Sequence, residues 1–263
     1  MTEPLLSIQD LTVRYRLPGG GTLTAVNDVS IDIAPSSVVG LVGESGCGKS
    51  TLARSVCGLE PIAHGSIRFG GAAVGKLGMR RRPSELMGIQ MVFQNPYASL
   101  NPRRTVGSQI EDGLRANPES TSWSVADLLS EVELPADVGS RFPHQFSGGQ
   151  RQRIAIARAI AAGPKLLIGD EPIASLDASL QAKVAALMRR LALESGASLL
   201  FISHDLAVVR TIADEVAVMN KGVIVERGPS EQVWSDPREP YTQRLLAAIP
   251  AVDGMGTLPG IEE

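Results

Sequence analysis

Short runs of alternating apolar and polar residues mark the start of the chain. Residues 7–11 and 29–33 both show the two-residue period of a half-buried strand. Pro18 and the three glycines after it form a turn signal between these runs. The pattern therefore predicts an antiparallel sheet at the start of the chain.

A strand, a glycine-rich loop and a helix are predicted next. Residues 37–42 form an apolar, strand-like run that leads directly into the loop, and residues 50–59 have helical character. This order predicts a strand, loop and helix unit.

The middle of the chain changes character between Gln94 and Arg141. Pro, Asn, Ser and Gly are frequent there and are followed by an amphipathic piece at residues 125–132, which predicts a helical insertion. Residues 164–169 and 198–203 are short apolar runs flanked by helical patterns, as expected of buried parallel strands. The insertion would then separate two halves of an α/β core.

Apolar residues recur at helical spacing between these two runs, and the stripe predicts a core-facing helix with no functional role. The stripe comprises Leu180, Val184, Leu187, Met188 and Leu191. Residues 223–228 resemble a last strand, and prolines then punctuate a C-terminal extension that ends in residues 241–249.

Composition excludes some classes of protein. The 263 residues are 43% hydrophobic and 20% charged, as in an ordinary globular chain. A formal net charge of -3 gives no general attraction to nucleic acid. Arg80, Arg81 and Arg82 form a short basic run that is expected to be a solvated turn.

Cysteine usage and hydropathy bear on location. Cys47 and Cys57 have no CxxC spacing, so a structural zinc or iron–sulfur site is not expected. The first eleven residues lack a secretory signal pattern. The most apolar stretch, residues 154–168, is broken by charges and a proline, so any membrane association is expected to run through a partner.

The glycine-rich loop carries the strongest chemical signal. It fits the GxxxxGK[ST] pattern, with a predicted strand before it and a helix after it. Backbone N–H groups and the helix N-terminus would bind phosphates, Lys49 would reach the outer phosphates and Ser50 would ligate Mg²⁺. The motif and the residue after it are Gly43, Glu44, Ser45, Gly46, Cys47, Gly48, Lys49, Ser50 and Thr51.

Cys47 is a special position within this loop. A thiol near a helix N-terminus usually has a lowered pKa. The sequence therefore predicts thiolate character at Cys47, with no catalytic task.

An apolar strand that ends in two carboxylates is the second signal. Residues 165–169 lead into Asp170 and Glu171. Asp170 would hold Mg²⁺ at the carboxyl end of the strand, and Glu171 would polarise an attacking water as general base.

A second glycine-rich helix start supplies another anion site, distant in sequence from the first. Its residues are Ser147, Gly148, Gly149 and Gln150, followed by a helical pattern over residues 151–162.

These motifs, in this order, resemble the ATPase subunits of ABC transporters over nearly the whole chain. The resemblance implies an α/β fold, with a P-loop NTPase (RecA-like) core, an N-terminal antiparallel β subdomain and an inserted α-helical subdomain. It implies one nucleotide-binding domain made of residues 1–94 (β subdomain and P-loop core), 95–162 (helical subdomain), 163–230 (rest of the core) and 231–263 (extension). In that family residues 147–150 would be the signature motif, which contacts the γ-phosphate of ATP held by the other subunit.

The family's other motifs match individual residues here. Tyr15 resembles the aromatic that stacks on adenine, although a lone strand tyrosine can also be a core residue. Gln94 resembles the hinge glutamine that senses Mg²⁺ and the lytic water. His204 resembles the switch histidine at the γ-phosphate. The loop through which two subunits communicate corresponds to Ser175, Leu176 and Asp177.

Two positions depart from the family pattern. Gly169 stands where alanine is usual, and Ile173 stands where threonine is usual. Both departures concern local packing and the rate of hydrolysis, because neither removes a reacting group.

A narrower resemblance is to bacterial importer ATPases for oligopeptides, dipeptides and nickel. It rests on residues 94–102, 142–146 and 241–250. In that group the proline-rich segment after Gln94 lies where the permease docks; the alternative is a plain surface loop. Longer members carry a C-terminal cysteine cluster, which the sequence after Cys57 lacks, and residues 258–261 resemble the start of their extension.

The resemblance also implies cofactors and partners. ATP and Mg²⁺ would be the cofactors. The protein would lie at the cytoplasmic face of the inner membrane, held there by the permease subunits. Partners would be a second ATPase subunit, identical or related, two permease subunits and an extracytoplasmic binding protein, and no nucleic acid. An ATPase subunit of a phosphonate-cleaving complex and a soluble ABC ATPase acting on ribosomes or DNA remain alternatives. One cassette and no heptads speak against the soluble class.

Overall fold

A computed structural model describes residues 3–78, 83–116 and 123–248 of the chain. The basic run at Arg80, Arg81 and Arg82 lies outside the described residues, as does the sequence from residue 249 onward.

The predicted antiparallel sheet at the start of the chain is confirmed. Its strands follow the order β2-β1-β4-β5, with antiparallel pairing throughout. They are β1 (Leu6–Arg16), β2 (Thr22–Ile33), β4 (His64–Phe69) and β5 (Ala72–Ala73). Alternate side chains such as Leu6 and Ile8 are fully buried, so one face of this sheet covers the core.

A second sheet has six strands in the order β10-β9-β3-β8-β7-β6. The pairs from β9 to β6 are parallel, and β10 pairs with β9 in the antiparallel sense. The strands are β3 (Val38–Val42), β6 (Ile89–Val92), β7 (Leu166–Asp170), β8 (Ser198–Ile202), β9 (Glu215–Asn220) and β10 (Val223–Pro229). Every residue of β3, β7 and β8 is buried, as expected for parallel strands covered on both faces.

The central strands contribute to two hydrophobic clusters, one on each face. Leu200 and Ile202 of β8 join the cluster under the antiparallel sheet. Leu199 and Phe201 join the cluster under the helices. The two-residue period of the strand therefore makes this sheet the middle layer of the molecule.

The helices are α1 (Lys49–Val56), α2 (Pro96–Ser99), α3 (Val106–Ala116), α4 (Val125–Glu131), α5 (Gly148–Ala161), α6 (Ala178–Glu194), α7 (Leu206–Ile212), α8 (Ser230–Ser235) and α9 (Pro240–Ala247). Helices α2 to α5 form the predicted insertion between β6 and β7. Helix α1 is shorter than predicted, because the chain turns at Gly58 with a φ of 71°. Within the described ranges, none of the helices is both long and apolar enough to cross a membrane.

The order of the parallel strands positions the candidate site. Strands β3, β8, β7 and β6 are neighbours and end at the same edge of the sheet. The glycine-rich loop follows β3, and Gln94, Glu171 and His204 follow β6, β7 and β8. Segments distant in sequence therefore meet at one edge, where α/β sheets usually bind ligands.

Candidate functional site

Close backbone approaches shape the glycine-rich loop. Gly43 has a φ of 150°, and a Cβ there would lie 2.1 Å from the carbonyl oxygen of Met219. Gly48 has a φ of 112°, and a Cβ there would lie 2.2 Å from the carbonyl oxygen of Ala25. No side chain caps the start of α1. Its first N–H groups are therefore available to an anion.

The Lys49 ammonium lies inside the curl of the loop, and its residue is 4% exposed. Its Nζ donates to the carbonyl oxygens of Gly43 at 2.7 Å and Glu44 at 2.9 Å. The Oε1 atom of Glu171 is 3.7 Å away. These oxygens compensate a charge that would otherwise be costly to bury.

Ser50 and Asp170 form an oxygen-rich pair beside Lys49. The Ser50 hydroxyl donates to Oδ1 of Asp170 at 2.6 Å. Burial raises the pKa of Asp170 above its ordinary value, although the Ser50 hydrogen bond and the Arg54 charge oppose the shift. A cation bound here would favour the carboxylate form.

This pair is suited to Mg²⁺ that arrives with a phosphate ligand. Mg²⁺ prefers oxygen ligands and is often held by one or two carboxylates together with substrate phosphates. The described part of the chain has no cluster of three or more His, Cys, Asp and Glu side chains that could hold a metal ion. The Ser50 and Asp170 oxygens are the kind of ligands that could bind Mg²⁺ together with phosphate oxygens.

Glu171 has an unusual backbone conformation. Its φ is 51°, in the left-handed region of the backbone, which residues other than glycine adopt at a cost of about 1–3 kcal/mol. Its N–H donates to the carbonyl oxygen of Ile202 at 3.0 Å, which holds the residue across the end of β8. Its Oε2 lies 2.5 Å from Nδ1 of His204. Strain of this kind is commonly found at functional sites.

The departure from the family pattern at Gly169 has a steric reason in this chain. A Cβ at residue 169 would lie 3.0 Å from Cγ of Pro172 and 3.1 Å from Cε of Met188. Ile173 is 1% exposed and belongs to the core under the helices. Both departures therefore concern packing behind the carboxylates.

A cavity of about 400 Å³ brings most of the predicted residues together. It is lined by Tyr15, Leu23, Ala25, Ser45, Gly46, Gly48, Lys49, Ser50, Thr51, Gln94, Glu171 and His204. The Tyr15 hydroxyl donates to Oγ1 of Thr51 at 3.4 Å, and Leu23 pairs with Tyr15 across the strands. Sequence analysis missed Leu23 and Ala25. Leu23 could have been identified from the hairpin register, because that register pairs it with Tyr15.

The prediction of a lowered pKa at Cys47 is wrong. Burial raises the pKa of this thiol, and the nearby Lys49 charge opposes the shift only in part. The residue is 7% exposed, and its Sγ lies 3.8 Å from Nζ of Lys49. Desolvation disfavours the thiolate more strongly than one neighbouring cation favours it.

The predicted signature residues lie away from this cavity. Ser147 and Gln150 cap the start of α5 reciprocally, since each side chain accepts a hydrogen bond from the other's backbone N–H. Ser147 and Gly148 are exposed. Within one chain, the predicted second anion site is therefore exposed.

Gly149 is buried against the start of α6. A Cβ at residue 149 would lie 2.5 Å from Cδ2 of Leu180 and 3.7 Å from Cδ2 of Leu176. Leu180 is half-buried, so it is not only a core residue as its stripe predicted. It joins the predicted signature to the predicted communication loop within the same chain.

Asp177 fixes the end of the predicted communication loop. Its carboxylate accepts hydrogen bonds from the Ser179 hydroxyl at 2.7 Å and the Leu180 N–H at 3.0 Å. These hydrogen bonds lower the pKa of Asp177. The residue is therefore the N-cap of α6 and carries a negative charge at neutral pH. Ser175 and Asp177 are exposed, and neither lines the cavity.

Gln152 is a buried contact that sequence analysis missed. Its Nε2 donates to the carbonyl oxygen of Phe93 at 3.3 Å, and the residue is 0% exposed. Phe93 directly precedes Gln94, so this bond links α5 to the segment that carries the exposed Gln94 side chain. No local sequence pattern signals it.

Comparisons with known proteins agree with this geometry. Residues 26–174 match the family model described as ABC transporter. The chain is 46% identical to the oligopeptide transport ATP-binding protein OppF of Bacillus subtilis, over 96% of this chain and 85% of that protein. It is 47% identical to a putative peptide import ATP-binding protein of Brucella ovis, over 96% of this chain and 81% of that protein.

A solved structure supports the fold. The dimeric, post-hydrolysis structure of the ATP-binding cassette MJ0796 bound to ADP and Pi superposes with a TM-score of 0.71 at 25% identity. The match covers 86% of this chain and 98% of that chain. The predicted P-loop α/β fold class is thereby confirmed.

The environment of Cys47 generates a prediction about its reactivity. In a Cys57→Ser protein at pH 7.5, iodoacetamide should react with Cys47 at least roughly tenfold more slowly than it reacts with the free thiol of glutathione. Burial and the raised pKa leave little thiolate at Cys47. The rate should rise with pH, since the thiolate forms only as the pH approaches the raised pKa. Mass spectrometry of timed samples measures it.

Two control variants identify the labelled residue and test whether Cys47 has a catalytic task. The Cys47→Ser, Cys57→Ser double variant should show no labelling, and the Cys47→Ser single variant should keep its ATPase activity. Labelling at pH 7.5 as fast as glutathione would contradict the assignment of a buried neutral thiol.

Proposed function

We propose a function for this chain from one premise: it belongs to the ABC transporter family of ATP-binding subunits, which couple ATP hydrolysis to transport. Its transporter imports oligopeptides or dipeptides. The observation that carries this proposal is identity of 46–47% over 96% of the chain with relatives named for oligopeptide transport and peptide import. Nickel is the other cargo of the importer group that the sequence resembles, and neither of these two relatives is named for nickel transport.

The cavity at the strand edge is the proposed ATP site. Tyr15 stacks on adenine, with Leu23 beside it on the neighbouring strand. The N–H groups at the start of α1 bind the phosphates, and the Lys49 ammonium turns from the Gly43 and Glu44 carbonyls to the outer phosphates.

Mg²⁺ accompanies ATP in this proposal. Ser50 and Asp170 would hold it, with Gln94 as a further oxygen ligand, and it would neutralise charge on the phosphates. The adjacent Ser50 and Asp170 oxygens support this assignment.

Glu171 is the proposed general base. Its carboxylate would orient and polarise the attacking water, and the residue lines the cavity directly after β7. His204, 2.5 Å away, orients that carboxylate and would contact the γ-phosphate. Gln94 would help to position the water.

Each active site is proposed to need two subunits. The exposed helix start at Ser147 and Gly148 offers a second anion site that this chain's own cavity does not use. In a dimer it would contact the γ-phosphate bound by the other chain. Ser175, Leu176 and Asp177 would lie between the two sites and link them. The dimeric form of the related cassette MJ0796 supports this arrangement.

The remaining partners are proposed to be two permeases and an extracytoplasmic binding protein, with the chain on the cytoplasmic face of the membrane. Docking would involve residues 97–102 and the groove beside them. That groove of about 420 Å³ is lined in part by Asn101, Arg104, Asp112 and Arg158. Arg104 forms a salt bridge with Asp112 at 2.5 Å, which gives the groove a charged wall.

Copurification tests the transporter assignment. Tagged chain from detergent-solubilised membranes of its native cells should retain permeases and a peptide-binding protein. Arg104→Ala should lower the permease yield, whereas Arg115→Ala, a more exposed arginine of the same segment outside the groove, should not. Recovery with soluble enzymes and without permeases would favour a phosphonate-cleaving complex instead.

Replacing the proposed base tests the chemistry. Glu171→Gln should leave ATP binding within about twofold and slow hydrolysis by about 10² to 10⁴, as expected for loss of a general base. Turnover of the assembled transporter and equilibrium ATP binding are the measurements. Glu231→Gln, on the exposed side of α8, is the matched control and should behave like the parent. Turnover within threefold of the parent would remove Glu171 from this role.

Tethered dimers test whether sites are shared. Linking a Lys49→Ala chain to a Ser147→Arg chain places both lesions in one composite site and leaves the other intact. This pair should hydrolyse more ATP than tethered homodimers of either variant. A tethered pair of one wild-type chain and one Lys49→Ala chain also keeps one intact site. It shows whether a single intact site can hydrolyse ATP. Activity in this control without activity in the complementing pair would contradict shared sites.

A further inference from the structure

A contact outside the predicted nucleotide-binding and catalytic residues joins the C-terminal helix to the glycine-rich loop. The backbone N–H of Glu44 donates to the hydroxyl oxygen of Tyr241 at 3.2 Å. Tyr241 lies on α9, beyond the residues 26–174 that match the family model. The C-terminal helix therefore touches the loop that is proposed to bind ATP.

The position of this contact within the loop gives it a specific effect. The carbonyl of Gly43 and the N–H of Glu44 belong to the same peptide group. In a trans peptide these two groups point in opposite directions. The carbonyl accepts a hydrogen bond from Nζ of Lys49 at 2.7 Å, and the N–H donates to Tyr241. Two side chains thus fix the orientation of one peptide plane from opposite sides.

Tyr241 is itself held firmly. Its residue is 9% exposed, and its ring belongs to the hydrophobic cluster under the helices. The carboxylate of Glu226 accepts hydrogen bonds from the N–H groups of Arg238 at 2.8 Å and Glu239 at 3.2 Å. These bonds fix the approach to α9. The phenol is therefore presented to the loop by a positioned helix.

The balance of forces on the peptide changes when ATP binds. In the proposed function, Lys49 turns to the outer phosphates and releases the Gly43 carbonyl. The hydrogen bond to Tyr241 then remains as a restraint on the peptide plane. Loss of the Tyr241 hydroxyl should therefore destabilise the ATP-bound form more than the free form. The Kd for nucleotide should rise as a result.

We propose that Tyr241 is a positioning residue for the ATP site, through which the C-terminal helix sets the affinity of the glycine-rich loop for nucleotide. The inference rests on the proposed ATP site and extends it to a helix outside the matched motifs. Tyr241 does not line the cavity and acts through the backbone of the loop.

Tyr241→Phe tests the proposal, because it removes the hydroxyl and keeps the ring. The Kd for MgADP, measured by titration calorimetry, should rise about threefold to tenfold, the range expected for one neutral hydrogen bond. The KM for ATP should rise in parallel, with kcat at saturating ATP within about twofold. Hydrogen exchange at the Glu44 amide should become faster, which reports the bond independently of activity.

A control on the same helix separates positioning from general stability. The Gln243 side chain donates to the carbonyl oxygen of Pro237 at 2.9 Å, so Gln243→Ala removes an α9 hydrogen bond that does not reach the loop. It should leave the MgADP Kd and Glu44 exchange unchanged. An unchanged Kd in Tyr241→Phe, or an equal rise in Gln243→Ala, would overturn the proposal. Failure of the parent protein to bind MgADP or MgATP would instead contradict the proposed function.

Discussion

The Lys49 side chain is nearly inaccessible, so its ammonium gives up most of its hydration and must be compensated by protein oxygens. The carbonyl oxygens of Gly43 and Glu44 supply most of that compensation. Because these carbonyls belong to the loop, the backbone must curl around the charge and pass very close to neighbouring segments. Glycine at residues 43 and 48 is a consequence of that curl. The requirement of one buried charge thus determines the shape of the loop and its dependence on β2 and β9.

The parallel sheet supplies the other half of the site. Neighbouring strands lie about 4.8 Å apart, so residues that follow β3, β8, β7 and β6 are brought within reach of one ligand. The strained backbone of Glu171 turns its carboxylate toward His204 and Lys49. The energetic cost of this strain is met by the buried core of β7 and β8, which over-determines the position of the strand end.

The sequence patterns allowed the parallel strands and the phosphate-loop residues to be predicted, because their chemistry is local. A phosphate loop needs its glycines, lysine and serine in order, and parallel strands need continuous apolar runs. Tyr15, Gln94 and His204 were assigned through the resemblance to the family, and the cavity residues Leu23 and Ala25 were missed. The contacts of Leu180, Gln152 and Tyr241 could not be predicted, since each joins segments that only the tertiary fold brings together. The pKa of Cys47 was mispredicted for a related reason: a local rule about helix starts was outweighed by burial.

The contact between Gly149 and Leu180 limits how freely parts of this protein can be exchanged with those of another. A Cβ at residue 149 would lie 2.5 Å from Cδ2 of Leu180, so the leucine side chain or the helix would have to shift. A chimera that receives a foreign helix α5 or α6 alone would combine surfaces that were not shaped for each other. In such a chimera the two helix starts and the Asp177 cap of α6 should therefore be exchanged together.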